Sequence, residues 1–325
     1  MPVLVTGSSG HLGEALVRVL TSEGHEVVGL DLIASPTTEV VASITERSAI
    51  KACMAEVDAV IHTATLHKPH IDTHGRQAFV DTNVTGTLIL LEEAAEADVR
   101  FFVLTSTTSL FGRALTPPPG RPAAWIDEDV FPEPKNIYGV TKRAAEDLAQ
   151  LFYVAEGLPC IVLRTSRFFP ELDDDPTLRN EYEDANIKVN ELLYRRVEIE
   201  DVVSAHLLAL DRASTIGFGR YVISATTPFA RDDLDRLRND APSVVRRMFR
   251  QYEAIYASLG WKMFPNIDRV YINERARAEL GWSPRYDFKR ALECLKVGEE
   301  FRSPLALAIG TKGYNATTEY PSTEP

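Results

Sequence analysis

The sequence predicts an α/β protein: a doubly wound parallel sheet with a smaller, discontinuous C-terminal lobe. Two observations predict the sheet and a third the lobe. Apolar runs at residues 3–6, 26–30, 58–62, 101–104 and 158–163 alternate with stretches of helical period. Strands that are apolar on both faces belong in a parallel sheet covered by helices. The first run ends in a glycine turn that opens directly into a helical pattern, as a crossover unit requires. After residue 163 the pattern changes to Arg164, Arg167, two phenylalanines and the polar run Glu171-Leu172-Asp173-Asp174-Asp175-Pro176, where the lobe is expected to begin. The expected division is residues 1–166 with 197–226 returning for the sheet domain, 167–196 and 227–308 for the lobe, and 309–325 for a flexible, polar, proline-bearing tail.

The first strand, Val3-Leu4-Val5-Thr6, leads into Gly7-Ser8-Ser9-Gly10-His11-Leu12-Gly13 and then the apolar positions Leu16, Val17, Val19 and Leu20 of a helix. Glycines let backbone approach a pyrophosphate, and a helix N-terminus offers unpaired N–H groups and a positive dipole end. Tight turns need glycine anyway, so the context decides. The second strand ends in Asp31, at the distance expected of an acid that holds the ribose diol of NAD. That carboxylate repels the extra phosphate of NADP, and no arginine follows until Arg47. NAD is therefore the expected cofactor.

The strand at 58–62 runs into Thr63-Ala64-Thr65, small residues that leave room for a dinucleotide across the strand end. His67, His70 and His74 follow. Three imidazoles can bind zinc, but Pro69 interrupts them and no carboxylate or cysteine is paired with them, so they read as substrate-loop or surface histidines with no metal. Residues 76–97 read as one long amphipathic helix through Phe79, Val80, Val84, Leu88, Leu91 and Ala95. Asn83 inside it is a poor helix former, which points to a specific hydrogen-bonding role. The apolar strand at 101–104 ends in the hydroxyl run Thr105-Ser106-Thr107-Thr108-Ser109, which either satisfies strand-end backbone or orients a substrate oxygen. The proline-rich residues 116–122 form a stiff loop, at the mouth of a site or simply on the surface.

Asn136-Ile137-Tyr138-Gly139-Val140-Thr141-Lys142 is the stretch the chemistry turns on. On a helix, Tyr138 and Lys142 project from one face. A phenol has a pKa of about 10, and a nearby ammonium favours its anion, so the pair suits removal of a proton from a hydroxyl. A half-buried Tyr and a solvated Lys would show the same spacing. Beyond it, helices are expected around Val202-Val203 and His206, over 243–259 and from Phe288, with a strand at Tyr221-Val222-Ile223.

A formal net charge of −12 argues against nucleic acid or a membrane surface as the main partner. Cys53, Cys160 and Cys294 are scattered and odd in number, which fits a reducing cytoplasm better than a disulfide framework. No signal-peptide pattern or bilayer-length apolar stretch is present, so Asn315-Ala316-Thr317 reads as a chance sequon.

Taken in order, Thr6-Gly7-Ser8-Ser9-Gly10-His11-Leu12-Gly13, Asp31, residues 58–62, Asn83-Val84-Thr85-Gly86-Thr87, Thr107 before Phe111-Gly112, Tyr138, Lys142 and Leu280-Gly281-Trp282 resemble the extended short-chain dehydrogenase/reductase family, the NAD-dependent epimerase/dehydratase group. The resemblance spans about 300 residues and implies a Rossmann sheet, NAD and a homodimer formed by the helices near 76–97 and 137–156. It implies Thr107, Tyr138, Lys142 and Asn83 as the catalytic set, with Lys142 binding the nicotinamide ribose and lowering the tyrosine pKa. It implies cofactor contacts from Gly7, Gly10, His11, Leu12, Gly13, Asp31, Thr63, Ala64, Thr65, Thr105 and Ser166. Ser43 and Ile44 stand where the family often has an Asp and an apolar residue at the adenine.

The implied reaction is oxidation of a secondary alcohol of a sugar or nucleotide-sugar-like substrate by an epimerase, or net oxidation of a non-nucleotide sugar, sugar acid or polyol by a dehydrogenase; a non-catalytic NAD-binding protein is disfavoured by the intact Tyr and Lys. Two departures bear on the substrate. Thr108 and Ser109 replace the acid pair of the dehydratase branch, and Arg167 stands where nucleotide-sugar epimerases usually carry an Asn for the diphosphate. Residues 193–202 also lack that branch's glycine segment. Thr107, Thr108, His67, Arg167 and Arg195 are the candidate substrate contacts, with Arg167, Arg195 and Arg196 suited either to an anionic group or to structural ion pairs.

Overall fold

The structure, a computed structural model, describes residues 1–313. In chain order its elements are β1 (Pro2–Thr6), α1 (His11–Ser22), β2 (Glu26–Asp31), β3 (Val40–Val41), α2 (Arg47–Met54), β4 (Ala59–His62), α3 (Arg76–Val80), α4 (Gly86–Glu96), β5 (Phe101–Thr107), β6 (Ala124–Ile126), α5 (Ile137–Glu156) and β7 (Cys160–Thr165). There follow α6 (Pro176–Glu181), α7 (Asp184–Glu191), α8 (Ile199–Ile216), β8 (Phe218–Ile223), α9 (Leu234–Met248), α10 (Tyr252–Leu259), β9 (Arg269–Tyr271), α11 (Phe288–Val297) and α12 (Pro304–Ile309).

Seven strands form one parallel sheet in the order β3-β2-β1-β4-β5-β7-β8. The order reverses between β1 and β4, where Thr6 is in register with His62. A crevice opens at the carboxyl ends of strands at such a switch point. One apolar cluster joins the strands to α1 and α8, and another joins them to α2, α4 and α5. Each face of the sheet is thus covered, which explains the uninterrupted apolar strands. Glu26–Asp31 falls where the sequence places it, whereas β5 runs on into the hydroxyl run as far as Thr107.

The lobe has its own core around α7, α9, α10 and α11. Its boundaries differ from those read from the sequence. Ala123 joins the lobe core, and β6 pairs with β9 in a second, two-stranded parallel sheet. Ala276, Leu280 and Trp282 instead pack into the cluster of α1 and α8, the Trp282 indole donating to the Asp201 carbonyl at 3.0 Å. Ile309 is buried in the same cluster, and the Lys312 backbone N–H donates to Glu171 at 3.1 Å, so residues 309–313 are docked. The rest of the expected tail, with its sequon, lies outside the described residues.

Of the two longer expected helices, the first is continuous with a π-turn inside it and the second is broken. Residues 76–97 are α3 and α4 joined by a π-turn at Asp81–Thr85, which turns Asn83 inward. Residues 243–259 divide between α9 and α10, because Phe249 leaves the helical region at φ −128°, ψ 72°. Pro69 does not disrupt its segment; it sits in the first turn of a 3₁₀ helix at Lys68–Asp72, where its missing N–H costs nothing.

Candidate active site

The carboxyl ends of β1, β4, β5 and β7 line a cavity of about 530 Å³. Gly7, Gly10, His11, Leu12 and Gly13 form one wall, with Asp31, Ser43, Ile44, Thr63, Ala64 and Thr65 beyond them. Thr105, Thr107, Thr108, Tyr138 and Ser166 lie deeper, and His67, Arg167 and Arg195 complete the set read from the sequence. Lys142 and Asn83 stand behind this wall, 2% and 1% exposed.

The glycine turn has no room for side chains. Gly7 has φ +74°, and a Cβ there would lie 2.7 Å from Thr63 Oγ1 and 2.8 Å from the Ala64 nitrogen. A Cβ on Gly13 would lie 1.9 Å from the Gly7 carbonyl oxygen, so α1 approaches the turn as closely as backbone allows. Asp31 is fixed at the end of β2 by accepting from the Ser9 and Ile33 N–H groups, each at 3.0 Å. The buried Ser166 hydroxyl finds no partner among the described residues, which leaves it for a ligand. Bare backbone, a helix N-terminus, a carboxylate at the second strand end and an unspent hydroxyl are the features that fit a dinucleotide.

Asn136 caps α5 by accepting from the Gly139 N–H at 3.0 Å, and this sets the turn that presents Tyr138. Burial pushes the Tyr138 phenol up to about 12, against hydrogen bonding with the Thr107 hydroxyl. Burial brings Lys142 down to about 8, with Glu146 opposing, and its Nζ donates to the Thr105 carbonyl at 2.7 Å. The expectation that Lys142 lowers the tyrosine pKa is therefore not met in this geometry. Desolvation of the phenol outweighs its neighbours, and the ammonium gives one of its three donors to β5 backbone.

Asn83 accepts from the Leu66 N–H (2.8 Å) and the Thr65 hydroxyl (2.9 Å), and donates to the Leu66 carbonyl (2.9 Å) and Thr141 Oγ1 (3.0 Å). All its amide valences go to protein. It positions the loop after β4 against α5 rather than facing the cavity. Thr105 donates to His206 Nε2 at 2.8 Å, since His206 Nδ1 donates to the Val202 carbonyl, and burial takes this imidazole down to about 4.

The arginines are shared with carboxylates. Glu191 is fully buried; burial would raise its pKa, but Arg195, Arg196 and Arg167 hold it down at about 2. Arg167 also pairs with Asp173 and, at 3.2 Å, with Asp174. Arg196 reaches Glu191 at 2.8 Å and the Phe169 carbonyl at 3.1 Å, which makes it structural. Burial lowers His67 to about 3 and His70 to about 4, and His67 stacks on Phe169 with centroids 5.3 Å apart. Among the described residues no group of His, Cys, Asp and Glu is arranged to hold a metal ion.

The sequence reading missed several residues. Arg269 and Tyr271 reach the cavity from β9, and no local pattern announces a contact made across more than a hundred residues. Glu146 was legible in principle, because it follows Lys142 by one helical turn on the same face. It accepts from Ser106 at 2.6 Å and from Arg164 at 2.8 Å, beneath the cavity floor.

The model of the NAD dependent epimerase/dehydratase family matches residues 3–224. Sterol demethylase protein B of Methylococcus capsulatus is 30% identical over 239 residues, covering 69% of this chain and 70% of its own. The UDP-glucose 4-epimerase of Erwinia amylovora is 27% identical over 165 residues, 46% of this chain and 47% of its own. The chain thus spans only about half the length of some curated relatives it matches. A short-chain dehydrogenase/reductase superfamily protein of Agrobacterium tumefaciens, solved with bound NAD, superposes with a TM-score of 0.65 at 25% identity over 90% of this chain and 95% of its own. Thermotoga maritima UDP-glucose 4-epimerase, solved with UDP-glucose, has a TM-score of 0.63 at 21% identity, covering 90% and 96%.

Proposed function

Because the chain belongs to the NAD dependent epimerase/dehydratase family and its cofactor is NAD, we propose that it oxidises a secondary alcohol of a sugar-like substrate, as an epimerase that later returns the hydride. The observation that carries this reading is the juxtaposition of Tyr138 and Thr107 in the cavity that the glycine turn opens. NAD supplies a hydride acceptor at its nicotinamide. Tyr138, as the phenolate left when its own proton passes to solvent, takes the hydroxyl proton, Thr107 orients the substrate oxygen, and Lys142, linked to Thr105, would bind the nicotinamide ribose. Asn83 holds the 65–66 loop against α5, and the glycine turn and Asp31 bind the pyrophosphate and adenosine ribose.

Some relatives are named for sterol chemistry, among them a 3-beta-hydroxysteroid dehydrogenase. The polar lining of Thr107, Thr108, Ser109, Arg195 and Arg269 supports a sugar rather than a sterol. Net oxidation of a non-nucleotide sugar, sugar acid or polyol is the second reading. It is favoured because Arg167 is enclosed by Asp173, Asp174 and Glu191 where a diphosphate grip is expected.

Asp31→Ala is expected to relax the preference for NAD toward NADP, since the variant removes the charge that repels a 2′-phosphate; an unchanged ratio of the two affinities would sink the assignment. The protein is further proposed to be a cytoplasmic homodimer. Its described cysteines are free, and no helix among the described residues is long and apolar enough to cross a membrane. Val140, Leu151 and Val154 leave an exposed apolar stripe on α5. Light scattering should return twice the chain mass of 36.2 kDa; a monomer would refute the pairing.

A further inference from the structure

We infer that Arg195 and Arg269 form a recognition site for one carboxylate on the substrate whose alcohol meets Tyr138. The inference rests on the reading of the cavity as a sugar-oxidising site and names the substrate class as sugar acids. β9 brings Arg269 to the cavity that Arg195 also lines. The Tyr271 N–H donates to the Tyr194 carbonyl at 3.0 Å, which seats Arg269 beside Arg195, and both line the cavity that holds Thr107 and Tyr138.

Arg167, Arg195, Arg196 and Lys68 face the carboxylates of Glu191, Asp173 and Asp174, and Arg269 makes a separate pair with Asp268. Lys68 is exposed to solvent and Glu171 lines the same cavity, so what this wall offers a ligand is the geometry of its guanidinium donors rather than a stranded charge.

The partners of each arginine show which donors remain. Arg167 has three carboxylates around it, and Arg196 bridges Glu191 to the Phe169 carbonyl. Arg195 turns one nitrogen to Glu191 at 2.7 Å and to Asp173 at 3.9 Å. Arg269 is held through one nitrogen by its chain neighbour Asp268, at 3.0 and 3.1 Å, and among the described residues bridges to no other element. In both residues the Nε–H is buried with no acceptor among the described residues. A guanidinium fork with unspent donors is suited to a planar carboxylate.

The test is calorimetry with NAD at saturation, comparing D-glucuronate, D-galacturonate and D-gluconate with D-glucose, D-galactose and UDP-glucose. At least one acid should bind about tenfold or more tightly than its neutral counterpart, the range of a charge-assisted hydrogen bond. Arg269→Gln should remove most of that preference without changing NAD affinity, and Arg269→Lys should restore part of it. Arg195→Gln is the second variant, and its melting temperature reports whether Glu191 tolerates the loss. The inference is overturned if no acid is preferred, if UDP-glucose binds best, or if the preference survives both glutamine variants. Following NADH formation and epimer appearance in the same samples separates the two levels. Acid binding without turnover contradicts the redox reading and leaves the carboxylate site standing, whereas turnover of neutral sugars without acid preference does the reverse.

Discussion

Tyr138→Phe is expected to reduce turnover by roughly a hundredfold to ten-thousandfold, the span that one positioned acid–base group contributes, while NAD affinity stays within a few-fold. The substitution removes one oxygen and keeps the ring, which packs with Leu66 and Phe79, so the fold should tolerate it. The buried phenol is held up at about 12 and is therefore neutral at rest. It must release its own proton to solvent before it can take one from the substrate, and Thr107 is the protein group that already favours the phenolate. Thr107→Ala should accordingly lower turnover as well. Retained activity in Tyr138→Phe, measured with any substrate the wild type turns over, would remove the tyrosine from the mechanism.

The second large effect concerns stability. Glu146 is 1% exposed and ties α5 to three strands: it accepts from Ser106 of β5, from Arg164 of β7 at three distances between 2.8 and 3.2 Å, and from Arg220 of β8 at 3.2 Å. Glu146→Ala leaves the buried Arg164 without its carboxylate. Breaking one partner of a buried pair typically costs about 3–5 kcal/mol, because the remaining charge is stranded. A denaturant titration should show a loss of that size; a change below about 1 kcal/mol would place the pair among those that contribute little. Lys142 sits one turn before Glu146 on α5, so the same carboxylate supports the ammonium electrostatically.

Much of this was legible in the sequence because it depends on local rules. The strand-turn-helix at 2–22, the acid at the end of β2 and the Tyr–Lys spacing on α5 are each set by neighbours within a few residues. What was not legible depends on contacts made at long range. The π-turn around Asn83 comes with an inward side chain that finds partners on the 65–66 loop and on α5. The return of Trp282 and Ile309 to the sheet layer follows from packing against α1 and α8, which hydrophobic period alone does not assign. The direction of the Tyr138 shift was misjudged because helical spacing places Lys142 near the phenol without showing that its ammonium turns to the Thr105 carbonyl. Arg269 was invisible for the reason that Arg195 was ambiguous, since each gains its meaning from the other.

NAD-dependent hydride transfer is tested most directly by recovering nucleotide from freshly purified, denatured protein and determining its identity, amount and oxidation state. Near-stoichiometric NAD(H) is the predicted result, as expected of an epimerase whose cofactor is reduced and reoxidised within one cycle. Little bound nucleotide, with added NAD raising the melting temperature, would move the assignment to a net dehydrogenase. Recovery of NADP(H), or no nucleotide and no thermal response to NAD, would contradict the claim.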